Sequence, residues 1–132
     1  MTEAKKQILL VDDDVDFLTQ MKTQLQAAGY DIVSAESRQE AEDILKDLRP
    51  DAAILDLMME HSDAGFALAY HIKKKDAAIP VILVTAVTSE TGLEFDATTA
   101  EERSWVKADA FLSKPIRFEQ LLGTLERLIQ RN

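Results

Sequence analysis

The 132-residue chain contains no cysteine, which excludes a disulfide framework, a thiolate metal centre and a cysteine nucleophile. A reducing compartment is permitted by that absence and not required by it. Four glycines and three prolines leave little material for a flexible linker, and neither an internal repeat nor a low-complexity tract interrupts the sequence. Apolar runs are short, and none approaches the roughly 20 residues that span a bilayer. Residues Met1 to Lys6 precede only a brief apolar run with an acidic end, so they lack the form of a signal peptide; the cytoplasm is the expected location. Basic residues are scarce as well. Fifteen Lys and Arg against 24 Asp and Glu give a net charge of −9, which argues against a broad face for nucleic acid or anionic membrane. The one basic run, Lys73-Lys74-Lys75, closes a helical pattern, where cations complement the helix dipole, and reads as a solvated last turn.

What is present is an ordinary globular composition, 46% hydrophobic and 30% charged, at a length that fits one domain over residues 1–132. Residues 1–6 are expected to be a flexible lead-in. Four apolar runs each end on a different reactive polar residue. Ile8-Leu9-Leu10-Val11 runs into Asp12 and Asp13, and Ala52-Ala53-Ile54-Leu55 into Asp56. Val81-Ile82-Leu83-Val84 runs into Thr85, and Ala110-Phe111-Leu112-Ser113 into Lys114-Pro115.

Segments of helical period lie between these runs, so strand and helix alternate and an α/β fold with a parallel sheet is expected. Val15, Leu18, Met21, Leu25 and Ala28 place a stripe on the first helix, which Gly29 closes. Asp31 to Ala35 is a second strand, poorer in apolar residues and nearer an edge. Ser37-Arg38-Gln39-Glu40 has capping-box spacing, and the helix it opens cannot continue through Pro50. Phe66, Leu68, Ala69 and Ile72 mark a third helix, and Phe118 to Ile129 the last. A fourth is expected within 97–107, anchored by Trp105 and Val106, after an exposed loop over 87–99. The expectation is five parallel strands in the order 2-1-3-4-5, doubly wound, with five helices.

Such sheets bind ligands outside the carboxyl ends of their strands, at the point where strand order reverses. Asp12, Asp13 and Asp56 would then face one another from adjacent strands. Carboxylates about 4 Å apart repel by roughly 4 kcal/mol at an effective dielectric near 20, so either a positive group joins them or one takes up a proton. Mg²⁺ or Mn²⁺ suits oxygen donors of this kind, and Lys114 adds an ammonium from the far strand. An aspartate can take a phosphoryl group as an acyl phosphate, with catalysis resting on positioning and charge neutralisation. Asp56, alone at its strand end, is the expected nucleophile; Asp12 and Asp13 are the pair a metal would occupy. Asp14 reads as a helix N-cap.

These motifs, Val11-Asp12-Asp13-Asp14, Asp56-Leu57-Met58-Met59, Val84-Thr85-Ala86 and Phe111-Leu112-Ser113-Lys114-Pro115, resemble the receiver domains of bacterial two-component response regulators over nearly the whole chain. The resemblance implies a flavodoxin-like receiver fold and a signalling protein rather than an enzyme, catalysing only its own phosphorylation and dephosphorylation. It implies Asp56 as phosphoacceptor and Asp12 and Asp13 at Mg²⁺, with the backbone carbonyl of Met58 completing the metal site. It further implies Thr85 as the hydroxyl that follows the phosphoryl group, Lys114 as the ammonium, and Phe111 as the aromatic of the switch. On its strand, Phe111 reads equally well as plain core. The partners implied are a sensor histidine kinase or phosphotransfer protein and a downstream protein target, without direct nucleic-acid contact or membrane insertion. A homodimer through the fourth helix, fifth strand and last helix is a further expectation.

The sequence departs from the family pattern at two places. Glu60 stands where proline is common, with Gly65 displaced by about one residue, and the stretch from Thr85 to Lys114 is several residues longer than usual. Two other readings follow from the residues: an interaction module of receiver fold that works without phosphorylation, and a phosphohydrolase of the haloacid dehalogenase type. The second fits poorly. Asp12-x-Asp14 is followed by Asp16, and Asp14-x-Asp16 by Leu18, where that family carries Thr or Val. The chain is expected to be a stand-alone receiver or a fragment of a larger regulator.

Overall fold

A computed structural model describes residues 6–56, 64–85 and 108–130. Five strands, β1 (Gln7–Val11), β2 (Asp31–Ala35), β3 (Ala52–Asp56), β4 (Val81–Thr85) and β5 (Ala110–Ser113), form one parallel sheet in the order β2-β1-β3-β4-β5. Among the described residues are four helices: α1 (Val15–Ala27), α2 (Arg38–Leu45), α3 (Ala64–Lys75) and α4 (Phe118–Gln130). The helix expected within 97–107, with its Trp105 and Val106 anchors, and the loop before it lie outside the described residues. None of the described helices is long and apolar enough to cross a membrane.

Side chains alternate across a strand with period two, so each strand serves two faces. Leu9, Val11, Ala53, Leu55, Val81 and Leu83 pack with Ala41 and Leu45 of α2 and Leu68, Ala69 and Ile72 of α3. Ile8, Leu10, Ala52, Ile54, Ile82, Val84 and Leu112 pack with Leu18, Met21 and Leu25 of α1 and Leu121, Leu125 and Leu128 of α4. Burial on both faces is why the inner strands read as continuous apolar runs rather than as alternating ones. The sheet is doubly wound, as the pattern predicts. β2 pairs only with β1 and so lies at an edge.

Helix ends follow local chemistry. Asp14 caps α1, its Oδ1 accepting from the Asp16 and Phe17 amides at 3.1 and 3.2 Å. At the other end Gly29 adopts φ 104°, Tyr30 N–H donates to the Leu25 carbonyl, and Gly29 N–H donates to that of Gln26, the Schellman closure. Two members of the predicted α1 stripe are not core: Val15 is half exposed and Ala28 exposed, because the first and last turns overhang the sheet. Ser37 Oγ accepts the Glu40 amide, but Glu40 Oε1 reaches the amide of Glu36 at 2.8 Å, one residue beyond the usual capping box.

The amino-terminal edge of the sheet is stitched by aspartates. Asp51 Oδ2 accepts Gln7 N–H at 2.7 Å while its own amide donates to the Gln7 carbonyl. Asp109 repeats the device on Val81, again at 2.7 Å, and its Oδ2 also pairs with Lys73 at 2.7 Å. Lys73 is therefore largely covered and tied down, unlike the solvated turn expected of the basic run.

Candidate metal centre

Sheet register places the reactive residues at the opposite, carboxyl edge. Val11 lies beside Leu55, Asp56 beside Val84, and Thr85 beside Ser113; one step past Val11, Asp12 comes level with Asp56 on the neighbouring strand. Carboxylate oxygens of Asp12, Asp13 and Asp56 all lie within 4.8 Å of one another. Asp12 and Asp56 are buried, 1% and 5% exposed, whereas Asp13 faces solvent. At that separation each pair of ionised carboxylates repels by roughly 3 kcal/mol at an effective dielectric near 20.

Asp12 is held by its neighbours on several sides. Its amide donates to the Ala35 carbonyl at 3.1 Å, and its Oδ1 accepts the Asp14 amide at 2.9 Å. The other oxygen, Oδ2, lies 3.0 Å from the Lys114 Nζ but outside hydrogen-bonding alignment, and it has no hydrogen-bond donor among the described residues. The charge is thus paired while lone pairs of a buried oxygen stay open, an unusual condition in a folded interior. Three carboxylates converging on one point, with no sulfur or imidazole among them, form a donor set for a hard divalent cation. The residues present fit Mg²⁺ or Mn²⁺.

Thr85 is buried at 5% exposed, and its carbonyl accepts the Lys114 amide at 2.8 Å. The hydroxyl-bearing strand and the lysine are therefore joined through the backbone, next to the cis Lys114-Pro115 peptide. Phe111 is half-buried and packs with the cluster on the α2 and α3 face. Met58 and the loop containing Glu60 lie outside the described residues. One residue not singled out by sequence reasoning stands in the site: the ring of Phe17, from the first turn of α1, lies 4.5 Å by its centroid from the Lys114 ammonium. Its position three residues beyond the Asp14 cap was the available signal, since that offset returns a helical side chain toward the strand end.

Comparison with known proteins agrees with this geometry. Residues 8–126 match the family model for the response regulator receiver domain. The phosphate regulon transcriptional regulatory protein PhoB of Pseudomonas aeruginosa is 31% identical over 132 residues, covering 96% of this chain and 52% of that protein. The response regulator TrrA of Thermotoga maritima, solved in complex with Mg(2+)-BeF, aligns with a TM-score of 0.76 at 30% identity over 93% of this chain and 98% of its own. The chemotaxis response regulator CheY4 of Vibrio cholerae aligns with a TM-score of 0.78 at 28% identity, covering 95% and 99% of the two chains. The chain spans about half the length of PhoB and of the similar transcriptional regulators it matches.

Proposed function

The chain belongs to the response regulator receiver domain family, and on that premise we propose that it is a phosphorylation-controlled switch of a two-component system, with Asp56 as the phosphoacceptor. The observation that carries this reading is the meeting of three carboxylates within 4.8 Å beside a lysine paired to one of them. The donor is a sensor histidine kinase or a phosphotransfer protein. An Asp56 oxygen attacks the phosphorus of the donor phosphohistidine; the new P–O bond forms as the P–N bond breaks, and the imidazole nitrogen keeps the electron pair and takes a proton from solvent.

Asp12, Asp13 and Asp56, with the Met58 backbone carbonyl, would hold Mg²⁺ or Mn²⁺, which would supply charge neutralisation for the carboxylates and for the transferring phosphoryl group. Lys114 donates to one phosphoryl oxygen and the Thr85 hydroxyl to another. The backbone bond between Thr85 and Lys114 lets movement of either residue carry the end of β5 with it. Phosphorylation adds about −1.5 to −2 charges, enough to draw in hydroxyl and ammonium and to change the packing of Phe111, which biases two arrangements of the adjoining loops. The output is an altered surface read by a downstream protein, or a homodimer through the segment 97–107, β5 and α4. The work is done in the cytoplasm, and the only reactions catalysed are the protein's own phosphorylation and dephosphorylation. The Mg(2+)-BeF complex of TrrA supports a cation and a phosphoryl mimic at this site.

Incubation with acetyl phosphate and Mg²⁺ should give a single phosphate adduct by intact mass, mapping to Asp56. Asp56→Asn and chelation should each abolish it, and Lys114→Ala should cripple it. A wild-type protein that stays unmodified, or an adduct that persists in Asp56→Asn, would sink the proposal.

A further inference from the structure

We propose that Phe17 is a positioning residue for Lys114, holding the ammonium in the cleft through the face of its ring so that its N–H donors stay available to the phosphoryl group. The inference rests on the reading of Asp56 as phosphoacceptor and deepens it. Two contacts restrain the lysine head among the described residues: Asp12 Oδ2 at 3.0 Å and the Phe17 ring at 4.5 Å. Their fates differ when the site is loaded. Asp12 Oδ2 is the buried oxygen with open lone pairs, the atom a divalent cation would claim, and a carboxylate shared with a dication binds an ammonium less strongly. Among the described residues no other cation lies over the ring. Its quadrupole attracts the cation without accepting a directed hydrogen bond and without neutralising its charge, so the ammonium remains a full donor and a full charge.

The surroundings favour this role. Lys114 is only 24% exposed on its side chain, and Phe17 is half-buried and packs with the cluster on the α1 and α4 face. Phe17 N–H is bound to the Asp14 cap, so the α1 cap that fixes the ring also begins two residues after Asp12. A single turn of chain therefore sets the carboxylate and the ring that bracket one ammonium. Lysine has a flexible four-carbon stem with large rotamer freedom; a fixed ring on one side removes much of it before the phosphoryl group arrives.

The test is a series at position 17, with Mg²⁺-beryllofluoride affinity and the rate of phosphorylation by acetyl phosphate measured on each protein. Phe17→Leu, which keeps apolar bulk, should weaken beryllofluoride binding and slow phosphorylation by about two- to tenfold, the range a partly desolvated cation–π contact supports. Phe17→Tyr should restore both. Replacing the ring by mono-, di- and trifluorophenylalanine, which weakens the quadrupole at nearly constant size, should lower affinity stepwise. In the metal-free protein, the Lys114 ε-methylene protons should show an upfield ring-current shift that Phe17→Leu removes. Equal affinity and rate across the fluorinated series would overturn the role of the ring, as would the absence of the shift. If wild type itself takes neither beryllofluoride nor phosphate, the phosphoacceptor reading fails instead.

Discussion

Both edges of the sheet carry clusters of aspartates, and they are treated in opposite ways. At the amino edge, Asp51 and Asp109 each close a two-bond ring with the first residue of a neighbouring strand, and Asp109 also pairs with Lys73. Asp76, in the turn before β4, accepts the Ala78 amide and the Arg49 guanidinium. At the carboxyl edge, three carboxylates crowd within 4.8 Å, and one buried oxygen of Asp12 is left without a hydrogen-bond donor among the described residues. The same side chain is a fastener at one edge and a ligand in waiting at the other. What separates the two is the crowding of three carboxylates at the carboxyl edge and the one Asp12 oxygen that no described donor reaches, and such crowding of like charge is tolerated where function requires it.

The comparison predicts stability effects of opposite sign. Asp109→Ala leaves the Val81 amide without its acceptor and Lys73 without its carboxylate, with the Ala77 carbonyl still in reach, and should destabilise the protein by about 2 kcal/mol in urea unfolding, while phosphorylation of the folded protein by acetyl phosphate stays near wild type. A neutral result would show that the amino-edge rings are incidental. Asp13→Asn relieves repulsion at the carboxyl edge without opening a cavity, and should stabilise the metal-free protein by about 1 kcal/mol. The same variant should lose most of the rise in Tm that Mg²⁺ gives wild type. A destabilised Asp13→Asn would mean that the three carboxylates do not strain one another.

The smallest effect concerns acid. The Ala78 amide, and after it the Arg49 side chain, hold the Asp76 carboxyl below its ordinary value. A depressed carboxyl contributes stability that is fully present above its unfolded pKa and is lost as pH falls through the folded one. Asp76→Asn should therefore lower stability slightly at neutral pH, where the wild-type contribution is fully present, and flatten the fall on the acid side, where that contribution is already lost. An unaltered acid limb would remove Asp76 from the amino-edge set.

The sequence announced the carboxyl edge more clearly than the amino edge. Strands buried on both faces appear as apolar runs, and a polar residue ending each run is visible without coordinates; register then does the rest by bringing Asp12 level with Asp56. Local caps were legible for the same reason, as Asp14 and Gly29 act within a turn of their own position. Long-range pairings were not. Nothing in the spacing of Lys73 points to Asp109, and the offset of Phe17 from the Asp14 cap aims its ring at the strand ends without marking Lys114 as what it meets, because those contacts depend on which helix flank meets which loop after the sheet has formed. Val15 was misassigned to the α1 stripe because periodicity gives direction around a helix but not how far the sheet extends beneath it.

Among the described residues only the carboxyl-edge aspartates bring three carboxylates to one point, and substoichiometric Mn²⁺ tests them as the cation site through paramagnetic broadening of the backbone amide spectrum. Broadening should centre on the amides of Asp12, Asp13 and Asp56, spare those of Asp51, Asp76 and Asp109, and vanish with excess Mg²⁺. Broadening spread evenly over both edges, or centred on the amino edge, would rule out a cation site at the carboxyl edge.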